Sequence, residues 1–191
     1  MVIGITGGIG SGKSLVCGLL EERGIPVFYT DDEAKAEMRE NEQIHRELID
    51  LLGPGAIDSK GAPVKSVLAD YICRGKEYAD RINNIVHPRV RERMHRWIES
   101  QRTKCVAIES ALLFESGFNA DCTVTVVVTA PLEVRVSRIM RRDHISRREA
   151  LEWIALQMPQ EQKAALADHI IVNDGITPLT PQIREFEEWK G

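Results

Sequence analysis

The sequence predicts an α/β fold with a five-stranded parallel sheet, on three observations. Five short runs rich in β-branched residues are apolar along most of their length, as strands covered on both faces must be. They alternate with amphipathic stretches of helical period. The first of these runs passes into the first helix through a turn dense in glycine.

In chain order, "VIGIT" (2 to 6) is the first strand, and a helix follows over 13 to 23. "PVFYT" (26 to 30) is the second strand. Several helices then run from about 32 to 102, broken by "GPGAIDSKGAP" (53 to 63), whose glycines and prolines make a loop. Ile44, Leu48, Leu51 and Leu52 group on one helical face there and read as core. "CVAIE" (105 to 109) and "TVTVVVT" (123 to 129) are the third and fourth strands. Helices follow over 131 to 142, 146 to 157 and 160 to 167, the second opened by Ser146 with Glu149 in a capping box. "HIIVN" (169 to 173) closes the sheet, and a last amphipathic helix spans 178 to 189.

A chain of 191 residues has core enough for one domain. A net charge of −4 argues against a general nucleic-acid binder, so any functional positive charge is local. Cys17, Cys73, Cys105 and Cys122 form no CxxC pair and read as reduced thiols. No apolar run reaches the roughly 20 residues of a membrane span. The amino terminus lacks a basic leader pattern, so a cytoplasmic protein is expected.

Residues 7 to 14, "GGIGSGKS", satisfy G-x-x-x-x-G-K-[ST] between a strand and a helix, the context that identifies a phosphate-binding loop (P-loop). Glycine permits positive φ and close backbone approach, so the N–H groups of Gly7, Gly8, Ile9, Gly10, Ser11 and Gly12 can form an anion nest. The helix adds its positive end. Lys13 supplies a point charge for the phosphoryl group and the Ser14 hydroxyl a ligand for Mg²⁺, so ATP with Mg²⁺ is expected.

A GTPase reading fails: "DSKG" (58 to 61) follows a loop rather than a buried strand, and no NKxD lies downstream. An LSGGQ transporter signature is absent. A small-molecule kinase needs an acceptor-binding insertion and movable arginines over the phosphates. Arg135, Arg138, Arg141, Arg142, Arg147 and Arg148 crowd one region, and Arg138 and Arg142, four apart, share a helix face. The fold expected is therefore a P-loop three-layer sandwich. Its core covers about 1 to 31, 103 to 137 and 158 to 191, with a helical acceptor-binding insertion over about 32 to 102 and a helical lid over about 138 to 157. Asp31, read as the end of the second strand, suits a general base, and an N-cap role explains it as well, with Asp32 the better cap. Glu109 at the end of the third strand suits a Mg²⁺ ligand or a structural partner. His87 before Pro88 reads as the first turn of a helix.

The segments "GITGGIGSGKS", "GIPVFYTDDEAK", "RINNIVHPRV", "IESALLFE", "SRIMRRD" and "ALQMPQEQKAALADHIIVN", in this order, resemble the dephospho-CoA kinase family along nearly the whole chain. The resemblance implies transfer of the γ-phosphate of MgATP to the ribose 3′-hydroxyl of dephospho-CoA. It matches Asp31 to the family's base, with Tyr29 replacing a first aspartate, and makes Asn83 and His87 acceptor-site residues. Glu109, Ala111, Leu112, Leu113 and Glu115 match a motif in which the family has Asp and Pro for Glu109 and Ala111. Arg138 and Arg142 match the lid arginines, and Gln157 and Asn173 the late glutamine and asparagine, the latter near adenine. Lys65 stands where the family has an arginine, which loses the bidentate fork. A small-molecule substrate, no nucleic-acid or membrane partner, and a monomer or small homo-oligomer are expected. Physics alone leaves two other readings: a kinase of another acceptor such as a nucleoside monophosphate, and a non-enzymatic nucleotide-binding regulator.

Overall fold

A computed structural model describes residues 1 to 187. The five expected strands are present: β1 (Val2–Thr6), β2 (Val27–Tyr29), β3 (Val106–Glu109), β4 (Val124–Thr129) and β5 (His169–Val172). They pair parallel throughout in the order β2-β3-β1-β4-β5. In register, Ile3 lies opposite Ala107 on one side and Val124 on the other. The chain turns both ways from β1, so the carboxyl end of β1 is the topological switch point where α/β sheets bind ligands.

Two compact units divide the chain: Met1–Tyr29 with Gln101–Gly191, and Thr30–Ser100. In the first, the sheet is joined by α1 (Lys13–Glu21), α6 (Leu132–Asp143), α7 (Arg147–Ala155), α8 (Gln160–Leu166) and α9 (Leu179–Glu187). The expected helix to 189 reaches beyond the described residues. Ile3, Ile5, Val126 and Val128 of the sheet share one core with Val16, Cys17 and Leu20 of α1 and Ile183 and Phe186 of α9. A second cluster joins Val136 and Ile139 of α6 to Ala150 of α7, and Ile9 of the glycine-rich turn packs against it. His144, at φ 55°, ends α6, and the Ser146–Glu149 capping box starts α7. None of the four cysteines forms a disulfide.

The second unit holds α2 (Thr30–Glu40), α3 (Glu42–Leu52), α4 (Lys65–Ile72) and α5 (Lys76–Ser100). Asn41 caps α3 by accepting from the N–H groups of Gln43 and Ile44. Ile44 and Leu48 of α3 are buried, as are Ile82, Val86, Val90 and Met94 at helical spacing along α5. Arg93 of α5 pairs with Glu33 and Glu37 of α2, and Arg89 with Glu47 of α3.

Three local expectations are corrected here. Asp31 does not end a strand: β2 stops at Tyr29, Thr30 opens α2, and Asp31 and Asp32 lie in the first turn, where negative charge suits the helix dipole. Neither aspartate is the cap; Asp32 accepts from Lys35 at 2.7 Å. His87–Pro88 does not begin a helix, because α5 runs through both. Pro88 removes one helical donor on the exposed side, while the buried stripe on the other side keeps the helix continuous.

Candidate active site

The turn after β1 follows a buried strand whose Ile3 and Ile5 cannot leave the core, so its ends are fixed before its own residues act. Gly12 stands at φ 94° before α1, and a Cβ there would lie 2.0 Å from Asn173 Nδ2, so only glycine fits. Lys13 opens α1 and arches back to donate from Nζ to the Gly7 carbonyl at 3.0 Å. Its Nζ is also 3.6 Å from Glu109 Oε1, with both side chains nearly buried. At that separation the gross attraction is about 4 to 5 kcal/mol at an effective dielectric constant of about 20, much of it offset by desolvation. Burial, then the Glu109 charge, pushes the Cys17 thiol up, so that thiol is an inert packing group.

The backbone of the turn is pinned from outside. Asn173, just after β5 and itself buried, donates from Nδ2 to the Ser11 carbonyl at 2.8 Å. Arg138 of α6 donates to the carbonyls of Gly10 and Ser11 at 3.3 and 3.2 Å and to Asn173 Oδ1 at 3.3 Å. Arg135, one turn earlier, donates from Nε to the Ile9 carbonyl at 3.0 Å. The Ile9 N–H donates to Gln157 Oε1 at 2.8 Å. Side chains thus hold three successive carbonyls of the turn, while two of the N–H groups expected in the anion nest are already engaged, Ile9 with Gln157 and Ser11 with the Gly8 carbonyl at 3.1 Å.

The expected residues are placed as follows. Gly7, Gly8, Ile9, Gly10, Ser11, Gly12, Lys13, Glu109, Arg138 and Asn173 come together, with the exposed Ser14 as the second residue of α1. Arg142 does not join them: it is exposed and bonded to Asp143 at 2.8 Å. A helical turn beyond Arg138, it has run past the loop. In the helical unit, Asn83 and His87 lie four apart on α5 and Lys65 is the exposed first residue of α4. Burial and then Arg91 lower the His87 pKa, while Asp31 and Asp80 oppose them, so the imidazole is neutral at pH 7 and lies within reach of the Asp31 charge.

Two residues escaped sequence reasoning. Arg135 lay within the arginine run, and its three-residue offset from Arg138 was the available signal. Lys163 of α8 is fully buried; it donates to the Ala111 carbonyl and pairs with Glu115 at 2.8 Å. Glu115 Oε1 also accepts from the Met158 N–H at 3.3 Å, which ties the segment after β3 to the residue following Gln157.

A parallel sheet of this order, with a pinned phosphate loop and a helical unit inserted after β2, defines a P-loop kinase. A dephospho-CoA kinase family model matches residues 1 to 178. A dephospho-CoA kinase of Bacteroides fragilis is 44% identical over 187 residues, 96% of this chain and 90% of that protein. One of Salinibacter ruber is 36% identical, over 91% of this chain and 88% of its own. The chain belongs to the dephospho-CoA kinase family. Among solved structures, TT1252 of Thermus thermophilus superposes with a TM-score of 0.82 at 35% identity, over 99% of this chain and 95% of that one. A shikimate kinase of Bacteroides thetaiotaomicron, at 15% identity and a TM-score of 0.55 over 99% and 97% of the two chains, shares the fold.

Proposed function

We propose that the chain transfers the γ-phosphoryl group of ATP to the ribose 3′-hydroxyl of dephospho-CoA, giving coenzyme A and ADP, the last step of coenzyme A biosynthesis. The observation that carries this reading is the phosphate loop held open by Arg135, Arg138, Asn173 and Gln157, in a chain of this family. The loop N–H groups and Lys13 bind the β- and γ-phosphates, and Asn173 is the residue we assign to the adenine side. Lys13 then leaves the Gly7 carbonyl and Glu109 for the phosphates, an exchange favoured by the stronger negative charge. Arg142 exchanges Asp143 for phosphate in the same way when the α6–α7 region acts as a lid.

On the acceptor side, Asp31 takes the hydroxyl proton, with neutral His87 and Asn83 as hydrogen-bonding neighbours for the acceptor and Lys65 as a mobile cation. Phosphoryl transfer has a loose transition state, so Asp31 orients the hydroxyl and need not be a strong base.

Among the described residues, no group of three or more His, Cys, Asp or Glu side chains can hold a metal ion by itself. The Ser14 hydroxyl and the Glu109 carboxylate are hard oxygen donors, and such a pair fits Mg²⁺, which binds through one or two protein groups together with substrate phosphates. Ser14 and Glu109 would hold it, and when bound it would neutralise charge on the β- and γ-phosphates. Among the described residues no helix is long and apolar enough to cross a membrane. The cytoplasm, where ATP and its acceptor are metabolised, is the compartment we propose.

The test is ADP release from MgATP across a panel of acceptors. Stimulation by dephospho-CoA alone is expected. Stimulation by a nucleoside monophosphate instead, or nucleotide binding with no acceptor-dependent turnover, sinks the assignment.

A further inference from the structure

Arg135 is a buried cation without a carboxylate. Only 6% of it is exposed. Its Nε donates to the Ile9 carbonyl at 3.0 Å, and among the described residues no acidic side chain lies within ion-pair distance of it. The guanidinium lies against the loop itself: a Cβ built on Gly8 would stand 2.3 Å from Nη2 and 2.8 Å from Cζ. Burial lowers its pKa and only the more distant Glu161 opposes this, so the site tolerates a charge it does not neutralise. Three other basic groups of this unit have closer acidic partners, Lys163 on Glu115, Arg142 on Asp143 and Arg147 on Glu133. A desolvated, uncompensated cation is costly unless an anion completes it. The anion-binding backbone of the phosphate loop is what it touches.

We propose that Arg135 is a positioning residue of the phosphate loop, its Nε fixing the Ile9 peptide while its guanidinium charge behind Gly8 draws the nucleotide polyphosphate. This rests on the nucleotide reading given above. Two consequences separate it from a packing role. The effect scales with phosphate charge, so ADP and ATP feel it and adenosine does not. Charge rather than shape rescues it.

Binding by calorimetry on the full chain tests both. Arg135→Gln should weaken ADP on the order of tenfold, the effect of one unit charge at an intermediate dielectric constant, and leave adenosine unchanged. Arg135→Lys keeps the charge but not the Nε donor to Ile9, so it should recover part of the ADP affinity lost in Arg135→Gln. Arg135→Met, close in length and without charge, is the second variant should Arg135→Gln not fold, and it should lose ADP affinity while adenosine binding stays. Equal ADP affinity in Arg135→Gln and wild type, or equal losses for ADP and adenosine, overturns the assignment of Arg135 and leaves the nucleotide reading standing. Absence of ADP binding by the wild type overturns both.

Discussion

Lys13 sits between two acceptors, the Gly7 carbonyl at 3.0 Å and Glu109 Oε1 at 3.6 Å, and its work requires leaving both. Lys13→Ala removes the charge that meets the transferring group and should lower turnover on the order of 10² to 10³. Steady-state ADP release checks this, and the melting temperature should fall as well, since the nearly buried Glu109 carboxylate loses a cation at 3.6 Å. At this scale the sequence was most informative where chemistry is local. A glycine, a lysine and a serine at fixed offsets between a strand and a helix leave few alternatives. It was least informative for the arginines, because six of them fall within fourteen residues, four on α6 and two on α7, and present several faces. Only packing showed that Arg135 and Arg138 meet the loop while Arg142 turns to Asp143.

Among the elements, α7 owes its start to one motif. Ser146 Oγ accepts from the Glu149 N–H at 3.3 Å, and the Glu149 carboxylate accepts from the Ser146 N–H at 2.9 Å. Ser146→Ala should cost about 1 kcal/mol, within the 0.5 to 2 kcal/mol range of such caps, seen as a lowered midpoint in urea at constant slope. An unchanged midpoint would show that Ala150 in the α6–α7 core, not the cap, sets this helix. The capping box was legible because its two partners are three residues apart. The entry into α2 was not. Tyr29 and Thr30 favour extended structure, so the pattern continued β2 through Thr30, whereas the helix claims Thr30 by packing. Pro88 misled for the opposite reason: its local preference against helix is real but yields to the long buried stripe of α5.

Across the sheet unit, one side-chain contact reinforces the pairing of the last strand with the fourth. Asp168, just before β5, accepts from Thr125 Oγ1 at 2.7 Å and from the Thr125 N–H at 2.8 Å. These bonds, the hydroxyl first, hold its carboxyl below the ordinary carboxylate value. A carboxylate depressed on folding contributes stability that is present above its unfolded pKa of about 4 and is lost as the pH falls through its folded value. Wild-type melting temperature should therefore drop more between about pH 5 and pH 3 than that of Thr125→Val, in which the hydroxyl bond is gone. Parallel curves for the two proteins would remove Asp168 from the acid response. Lys163 and Glu115 make a comparable long-range tie, between α8 and the segment after β3. Neither pair announces itself in the sequence, since its members lie 43 and 48 residues apart.

What the sequence by itself determined is the set of strands, their parallel arrangement in an α/β fold, the phosphate loop and, through ordered motifs, the family. Each of these rests on a local pattern or on residues in order along the chain. The tertiary structure alone decided which side chains hold that loop: Arg135 on Ile9, Arg138 and Asn173 on Ser11, Gln157 on the Ile9 N–H. Those contacts span more than a hundred residues, and they exist only because β1 lies at the centre of the sheet and brings α6 and the end of β5 to one turn.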